Sequence, residues 1–257
     1  MNQNTKIALT VSQHFHEIYP VLAELIDAIV FRDVNNILSI KDVDRMFHLN
    51  GFINTDFDET VTPDFLKRLQ FHNIDFISFD LGPSCKKVRM EDFYVADDPV
   101  LAPEEILIIG KRKIDKIRSI YSGAISLENM DYHKGGAYEY VCEPHFIKNA
   151  VEEFDVDFTL DIGHLNVTCF YNGMKPEDYI MALPMDRLKE VHISHAIDDD
   201  DTHGIPTTSD YDLLKYIFSI NQPEYTVLEY FWDPDVIVKE TKRLYKFLGN
   251  MTHSVVN

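Results

Sequence analysis

The sequence is poor in cysteine and contains no long apolar run. Its three cysteines, Cys85, Cys142 and Cys169, are widely spaced and odd in number, which excludes a disulfide framework and predicts buried free thiols. No run approaches the roughly 18 consecutive apolar residues that a membrane-spanning helix needs. The N-terminal segment MNQNTKIALTVSQ lacks the apolar core of a secretory signal peptide. We therefore expect a cytoplasmic protein with no membrane partner.

Basic side chains are also scarce. The chain has 24 lysines and arginines against 43 aspartates and glutamates, and its formal net charge is −19. A protein that binds nucleic acid needs lysines and arginines to displace counterions from the phosphates, so we expect no nucleic-acid partner. Bound divalent cations would offset part of the negative charge.

Several familiar catalytic motifs are missing. The sequence has no GxGxxG or P-loop pattern, no nucleophile elbow and no CxxC pair. We therefore interpret the Gly135–Gly136 pair as a turn rather than as a phosphate-binding loop.

Short apolar runs alternate with helical segments along the chain. The runs predict eight buried strands, at residues 7–11, 27–32, 46–52, 75–81, 124–130, 157–163, 188–194 and 225–231. Pro144, Pro176 and Pro234 each suit the first turn of an intervening helix. Eight strand–helix pairs indicate one (β/α)8 TIM barrel over residues 1–257, since such barrels typically need about 250 residues.

Ionisable side chains recur at the ends of the last four predicted strands. These residues are Glu128, Asp161, His192 and Glu229. The carboxyl ends of barrel strands meet at one face, where active sites lie, so the four side chains should converge there. Buried carboxylates would repel one another, and a divalent cation removes that penalty. A mixed carboxylate and imidazole set suits iron, zinc or manganese.

Further candidate ligands surround these four. His164 follows Asp161 by three residues, just beyond the strand end, and Asp201 and His203 form a D-x-H pair in the loop after His192. His48 and Asp80 hold equivalent positions on earlier strands. The full set is too large for one ion, so we expect two or three divalent ions, and zinc, iron and manganese all suit these ligands. His133 is a further candidate for contact with the site, whereas Asp198, Asp199 and Asp200 are interpreted as a solvated loop.

The ligand pattern resembles the xylose isomerase-like TIM-barrel superfamily, which includes sugar isomerases, sugar epimerases and apurinic endonucleases. A narrower likeness is carried by the runs SLENMDYH, CEPHFIKNAVEEF, LDIGHLNV, LPMDRLKEVHISHA and DTHGIPTTSDYDLL. These runs are similar to the multinuclear non-heme iron-dependent oxidases. Members of that family modify cysteine-containing peptides with iron and dioxygen, usually together with a partner protein that binds the peptide leader.

The resemblance implies a role for each candidate. Glu128 would bridge two metal ions, and Asp161, His192 and Glu229 would hold one of them. The remaining ions would be held by the residues His164, Asp201, His203, His48 and Asp80.

Three enzymatic hypotheses follow. An iron oxidase would bind a substrate thiolate and use dioxygen to remove hydrogen from the carbon beside sulfur, with His133 as a nearby acid or base. A sugar isomerase or epimerase would use Glu128 and Glu229 to exchange a proton beside a carbonyl that one divalent ion polarises. A phosphodiester hydrolase with a two- or three-metal clamp fits the ligands, but the net charge disfavours a DNA substrate. A metal-binding protein without catalytic activity is the remaining reading.

Overall fold

The computed structural model describes residues 5–53 and 61–254, and a closed barrel of eight parallel strands lies at its centre. The barrel strands are β1 (Lys6–Thr10), β2 (Ala28–Phe31), β3 (Asp44–Phe52), β4 (Phe76–Asp80), β7 (Ala124–Glu128), β8 (Asp157–Asp161), β9 (Leu188–Ile193) and β12 (Tyr225–Leu228). They pair in sequence order, and β1 closes the barrel against β12. Every predicted strand is present, so the barrel prediction is confirmed.

The largest departures from the predicted strand bounds are at three strand ends. The runs at 124–130, 157–163 and 225–231 leave the barrel at Glu128, Asp161 and Leu228. At the second of these ends, Asp161 becomes the N-cap of the next helix, and its Oδ1 accepts a hydrogen bond from the backbone N–H of His164. The ionisable residues therefore lie at the ends of the strands, where the chain turns into the loops.

Helices surround the barrel. They are α1 (Phe15–Leu22), α2 (Pro63–Phe71), α3 (Pro103–Arg118), α4 (Pro144–Phe154), α5 (Ile162–Asn172), α6 (Pro176–Ala182), α7 (Thr208–Ile220) and α8 (Pro234–Ser254). The helices expected at Pro144, Pro176 and Pro234 begin at those prolines, because the first turn of a helix needs no N–H donor. The apolar faces of the helices pack on the outer surface of the barrel, where Phe154, Tyr179 and Leu214 are fully buried.

The link between β2 and β3 departs from the strand–helix alternation. It contains a short 3-10 turn, Val34–Asn36, where an α-helix was expected. The side chain of Asp33 accepts hydrogen bonds from the backbone N–H and the side-chain amide of Asn35, and these local bonds favour a turn over a helix.

Two antiparallel hairpins rise from the barrel at the ends of strands. One is formed by β5 (Val88–Met90) and β6 (Tyr94–Ala96), and the other by β10 (His195–Ile197) and β11 (Asp200–Gly204). The second hairpin was expected to be a loop, and its acidic tip at Asp198 and Asp199 is exposed, as predicted for that part.

The interior of the barrel is divided between apolar and polar side chains. The apolar part is filled by Ala8, Ala28, Val30, Met46, Phe76, Tyr225 and Val227. Ser126 and Thr159 point inward from neighbouring strands, and their hydroxyl oxygens are 2.7 Å apart. Each lies two residues before a strand-end carboxylate, Glu128 or Asp161, and therefore shares the inner face with it.

The three cysteines are buried and free, as predicted. Burial raises the pKa of the Cys85 thiol to about 11 and that of Cys169 to about 12, and it raises the pKa of Cys142 well above its usual value. These thiols are therefore protonated and unreactive at neutral pH. Over residues 5–53 and 61–254, the helices are all too short or too polar to cross a membrane.

The packing of α3 on α4 predicts that replacing a helical glycine by alanine destabilises the protein. A methyl group added at Gly110 would lie 2.4 Å from Cζ of Phe154, which is fully buried. We expect Gly110→Ala to destabilise the protein by about 1–3 kcal/mol through overpacking, partly offset by about 1 kcal/mol of helix propensity. Urea denaturation measures the change. Gly249→Ala in α8 is the matched control, because its methyl would meet no atom within 4 Å, and it should be neutral or stabilising.

Candidate metal centre

The strand-end residues Glu128, Asp161, His192 and Glu229 converge at one mouth of the barrel, and each is at most 2% exposed. Nδ1 of His192 lies 3.3 Å from Oε1 of Glu128 and 3.7 Å from Oδ2 of Asp161. The same nitrogen lies 3.5 Å from Oε1 of Glu229. One imidazole nitrogen thus faces carboxylates from three other strands.

Glu128 is shared between several potential ligands. Its Oε2 lies 3.5 Å from Nδ1 of His48, and its Oε1 lies 3.4 Å from Nδ1 of His164. Among the described residues, three sets of side chains have donor atoms close enough to hold an ion: His48 with Glu128 and His192, Glu128 with Asp161 and His164, and Asp161 with His192 and Glu229. The sets overlap, so the mouth offers more than one adjacent coordination site.

Helix capping places His164 beside Asp161. As the N-cap of α5, Asp161 fixes the first helical turn, and His164 lies in that turn with its ring over the barrel mouth. Nδ1 of His164 is 2.7 Å from the carbonyl oxygen of Asn129. A carbonyl only accepts, so Nδ1 carries a hydrogen. Nε2 lies 3.4 Å from Oδ2 of Asp201, and it is the nitrogen that could bind a metal ion once it has lost its proton.

Asn129 is a site residue that the sequence reasoning did not single out. It is fully buried, and its side chain accepts from the backbone N–H of Asp161 at 2.8 Å and donates to the carbonyl of Asp161 at 3.1 Å. These bonds continue the pairing of β7 with β8 beyond the end of the strand. Asn129 therefore holds both Asp161 and His164 in place.

The β10–β11 hairpin brings Asp201 and His203 to the same mouth. Residues two apart on a strand share a face, which explains why both reach the site. Nδ1 of His203 lies 3.0 Å from Oδ2 of Asp201, and its Nε2 lies 3.3 Å from Oε2 of Glu229. The two residues stand outside the three tightest ligand sets among the described residues, so their role as ligands stays a prediction.

Asp80 and His133 lie at the edge of the cluster. Asp80 pairs in register with Glu128 on the neighbouring strand, and it is not a member of the three ligand sets found in the described part of the chain. His133 is buried, with Nε2 2.7 Å from Oδ2 of Asp131 and its ring stacked on Phe93 at 4.8 Å. Their roles as ligand and as acid or base also stay predictions.

Arg32 was missed, although it enters the site from the end of β2. Its guanidinium contacts Oε1 of Glu229 and lies over the ring of Phe231 at 5.3 Å. Residues two apart share a face, and Val30 points into the barrel, so the alternation along β2 was a signal that could have located Arg32.

Opposing charges set the ionisation of the centre. Burial would raise the pKa of Glu128, but the histidines His192, His48 and His164 lower it to about 2. Burial would lower the pKa of His192, but Glu128 and Glu229 hold it well above its usual value.

Two acids at the mouth respond in the opposite way. Burial, aided by Glu128, raises the pKa of Asp80 to about 8. Burial also raises the pKa of Asp161 to about 7, with the nearby charges of Asp201 and Glu229 adding to the shift. In the metal-free protein, protons and imidazolium groups thus occupy the place that a cation would take.

The donor set fits divalent metal ions. Oε2 of Glu128, Oδ2 of Asp161 and Nδ1 of His192 are buried and have no hydrogen-bond partner among the described residues. Unsatisfied buried polar atoms are costly, and coordination of a cation would satisfy all three. Mixed carboxylate and imidazole donors suit iron, manganese or zinc.

Comparison with known proteins places the chain in a family. Residues 64–248, well over half of the chain, match the family model described as RiPP precursor modification enzyme MbnB/TglH/ChrH, where RiPP denotes a ribosomally synthesised and post-translationally modified peptide. The chain belongs to this family. Among the candidate ligands of this MbnB/TglH/ChrH-family chain, His48 alone lies outside the matched segment. The family consists of enzymes, and its description implies a peptide substrate.

Curated relatives carry the description UPF0276 protein. One from Acaryochloris marina is 28% identical over 143 residues, which cover 54% of this chain and 51% of the relative. One from Vibrio parahaemolyticus is 22% identical over 168 residues, which cover 60% of this chain and 58% of the relative. The chain thus spans about half the length of the curated relatives it matches.

Solved structures with the same fold include sugar-modifying enzymes. A D-tagatose 3-epimerase-like protein superposes with a TM-score of 0.66 at 16% identity, covering 98% of this chain and 100% of that one. The 3-keto-D-glucoside 4-epimerase of E. coli superposes with a TM-score of 0.64 at 15% identity, covering 94% and 99%. At these identities the likeness shows the fold alone, a TIM barrel.

The pKa shifts predict how the stability of the metal-free protein depends on pH. Glu229 and Asp201 outweigh burial and raise the pKa of His203 to about 9, and the pKa of His164 and of His192 also lies well above the usual 6.5. The stability that these imidazolium groups contribute is complete below pH 6.5 and is lost as the pH rises through 9. The raised pKa of Asp80 acts in the same direction. We expect the urea midpoint of the metal-free protein to fall steadily between pH 6.5 and 9.

Metal binding should show the reverse dependence. Coordinating nitrogens must lose their protons, so the affinity for Zn²⁺ should rise over the same interval and binding should release protons. Titration calorimetry in two buffers of different ionisation enthalpy measures the release. For the stability prediction above, a urea midpoint of the metal-free protein that stays flat or rises from pH 6.5 to 9 would contradict the assignment of these imidazolium pairs.

Gly163 leaves space for the ligands, and this predicts a separation of metal binding from stability. A methyl group at this position would lie 2.7 Å from Oδ1 of Asp201 and from Oγ of Ser194, and 3.1 Å from Oδ1 of Asp161. We expect Gly163→Ala to displace these carboxylates and weaken metal binding by about 10- to 100-fold, while helix propensity keeps thermal stability unchanged or higher. Unchanged metal affinity, with Gly249→Ala as the control, would show that the site tolerates the methyl group.

Proposed function

We propose that the chain is an iron-dependent oxidase that acts with dioxygen on a cysteine-containing peptide at a centre of two or three metal ions. The convergence of overlapping ligand sets on Glu128 carries this proposal, because one ion would not use them all. Membership of a family that modifies peptide precursors supports a peptide substrate. Zinc and manganese are the alternative metals, and a separate protein that binds the peptide leader is the proposed partner.

The ligand residues would divide as their contacts suggest. Glu128 would bridge two ions, since its two oxygens face different histidines, His48 and His164. Asp161, His192 and Glu229 would hold one ion. A second ion would be held by His164 with Asp201 and His203, and His48 with Asp80 would complete the set. Iron, when bound, would supply a site for a thiolate and the redox chemistry with dioxygen.

The chain's own residues would position the substrate and handle protons. Nε2 of His133 donates to Asp131, because a carboxylate only accepts, and this leaves Nδ1 of His133 to receive a proton. Nδ1 is buried and has no hydrogen-bond partner within the described residues. His133 is therefore our candidate acid or base beside the metal centre. The aromatic rings of Phe93 and Tyr138 pack around it and exclude water.

A sugar isomerase or epimerase is the second candidate, and one observation favours it. Oε1 of Glu128 and Oε1 of Glu229 both lie within 3.5 Å of Nδ1 of His192, so two carboxylates flank the position of a single ion. In that reaction the two glutamates would remove and return a proton beside a carbonyl. A phosphodiester hydrolase is less favoured, since net charge −19 disfavours a DNA substrate.

Anaerobic purification followed by metal analysis distinguishes the candidates. We expect two or more iron atoms per chain, an absorption band that changes on exposure to air, and dioxygen consumption with a cysteine-containing peptide. A single Mn²⁺ or Mg²⁺ with solvent-proton exchange into a ketose would replace the oxidase with the isomerase. Stoichiometric Zn²⁺ with cleavage of abasic DNA would favour the hydrolase.

Asp161→Asn tests the assignment of the centre. We expect the substitution to weaken metal binding by more than roughly 10- to 100-fold, which is the typical loss when a residue outside the coordination sphere is replaced. Asp157→Asn, at the opposite end of the same strand, is the matched control and should keep its metal. Full metal content in Asp161→Asn would refute the ligand assignment.

A further inference from the structure

Glu190 is a buried carboxylate that none of the proposed ligand roles uses. It lies on β9 two residues before His192, so both side chains point into the barrel. Glu190 is fully buried, and its Oε2 accepts a hydrogen bond from the hydroxyl of Thr159 at 3.1 Å. Thr159 in turn contacts Ser126 at 2.7 Å, so polar groups from three neighbouring strands lie directly beneath the metal centre.

The other oxygen of Glu190 faces the far side of the His192 ring. Oε1 lies 3.2 Å from Nε2 of His192, and both atoms are buried and have no hydrogen-bond partner among the described residues. Nδ1, on the opposite edge of the ring, faces Glu128, Asp161 and Glu229 at 3.3 to 3.7 Å. The ring thus stands between a single carboxylate below and the ligand cluster above.

A neutral imidazole has one nitrogen that carries hydrogen and one that can coordinate a metal ion. A carboxylate at Nε2 favours the form with hydrogen on Nε2, which leaves the lone pair of Nδ1 directed into the cluster. Burying a carboxylate inside a barrel is otherwise unfavourable, and an apolar side chain would fill the same space without that cost. A metal-ligating histidine usually donates its other N–H to such a partner, which also fixes the orientation of the ring.

We propose that Glu190 is a positioning residue of the metal centre, which orients the His192 ring and selects Nδ1 as the coordinating nitrogen. This inference rests on the proposed metal centre, but it is independent of whether the reaction is an oxidation or an isomerisation. Thr159 assists by holding the second carboxylate oxygen of Glu190.

Anaerobic titration of the metal-free protein with Co²⁺, in competition with a chelator, tests the proposal through visible absorption. We expect Glu190→Leu to weaken binding at one site by about 10- to 100-fold and to shift the Co²⁺ band at saturation. Glu190→Gln keeps an oxygen that accepts from Nε2–H, so it should retain affinity within the same order of magnitude. Glu240→Gln removes a different buried carboxylate, on α8, and should change neither the affinity for Co²⁺ nor the absorption band.

The outcomes separate the positioning role from a general effect on folding. An unchanged affinity and band in Glu190→Leu, or equal losses in Glu190→Gln and Glu190→Leu, would overturn the role of Glu190. If Glu190→Leu fails to fold, Thr159→Val carries the test, because it removes the hydroxyl that holds Glu190 and should shift the same band by a smaller amount. Absence of Co²⁺ binding in the unaltered protein would instead overturn the metal centre itself.

Discussion

The main constraint on the structure is the repulsion between carboxylates that are held at one mouth of a barrel, because this repulsion must be offset. Glu128, Asp161 and Glu229 are nearly inaccessible to solvent and face a single nitrogen of His192. Such an arrangement is stable only when positive charge is present. In the metal-free protein His164, His192 and His203, whose pKa values are raised, provide that charge together with Arg32, and divalent cations would provide it in the loaded protein. Metal binding would therefore replace the charge of the imidazolium groups with the charge of the ion.

Much of the fold and half of the site were accessible from the sequence. Buried parallel strands leave a strong signal, and the ligands recur at strand ends because all the carboxyl ends of a barrel meet at one face. The predicted strand that contains Glu128 extended too far, to residue 130, because Met130 is apolar and buried like the strand residues before it. The ends of strands are fixed by local hydrogen bonds of side chains such as Asn129 and Asp161, which composition does not reveal.

Residues that act on ligands from outside the coordination sphere were harder to predict. Arg32 and Glu190 look like ordinary surface charges in the sequence, and only their position on the inward side of a strand distinguishes them. Glu190 lies two residues before His192, so the alternation along the strand predicts that both side chains share one face. The apolar pattern by itself did not reveal this position. The β10–β11 hairpin was interpreted as a loop because its strands are short and its tip is acidic, although its inner face delivers Asp201 and His203 to the mouth.

The N-cap role of Asp161 has a consequence for denticity. One carboxylate oxygen, Oδ1, is engaged by the first turn of α5, while Oδ2 has no hydrogen-bond partner within the described residues. This division favours monodentate coordination by Asp161 and disfavours a chelating mode. An ion bound there would receive one donor atom from Asp161, so the start of a helix would limit what this carboxylate contributes to the metal centre.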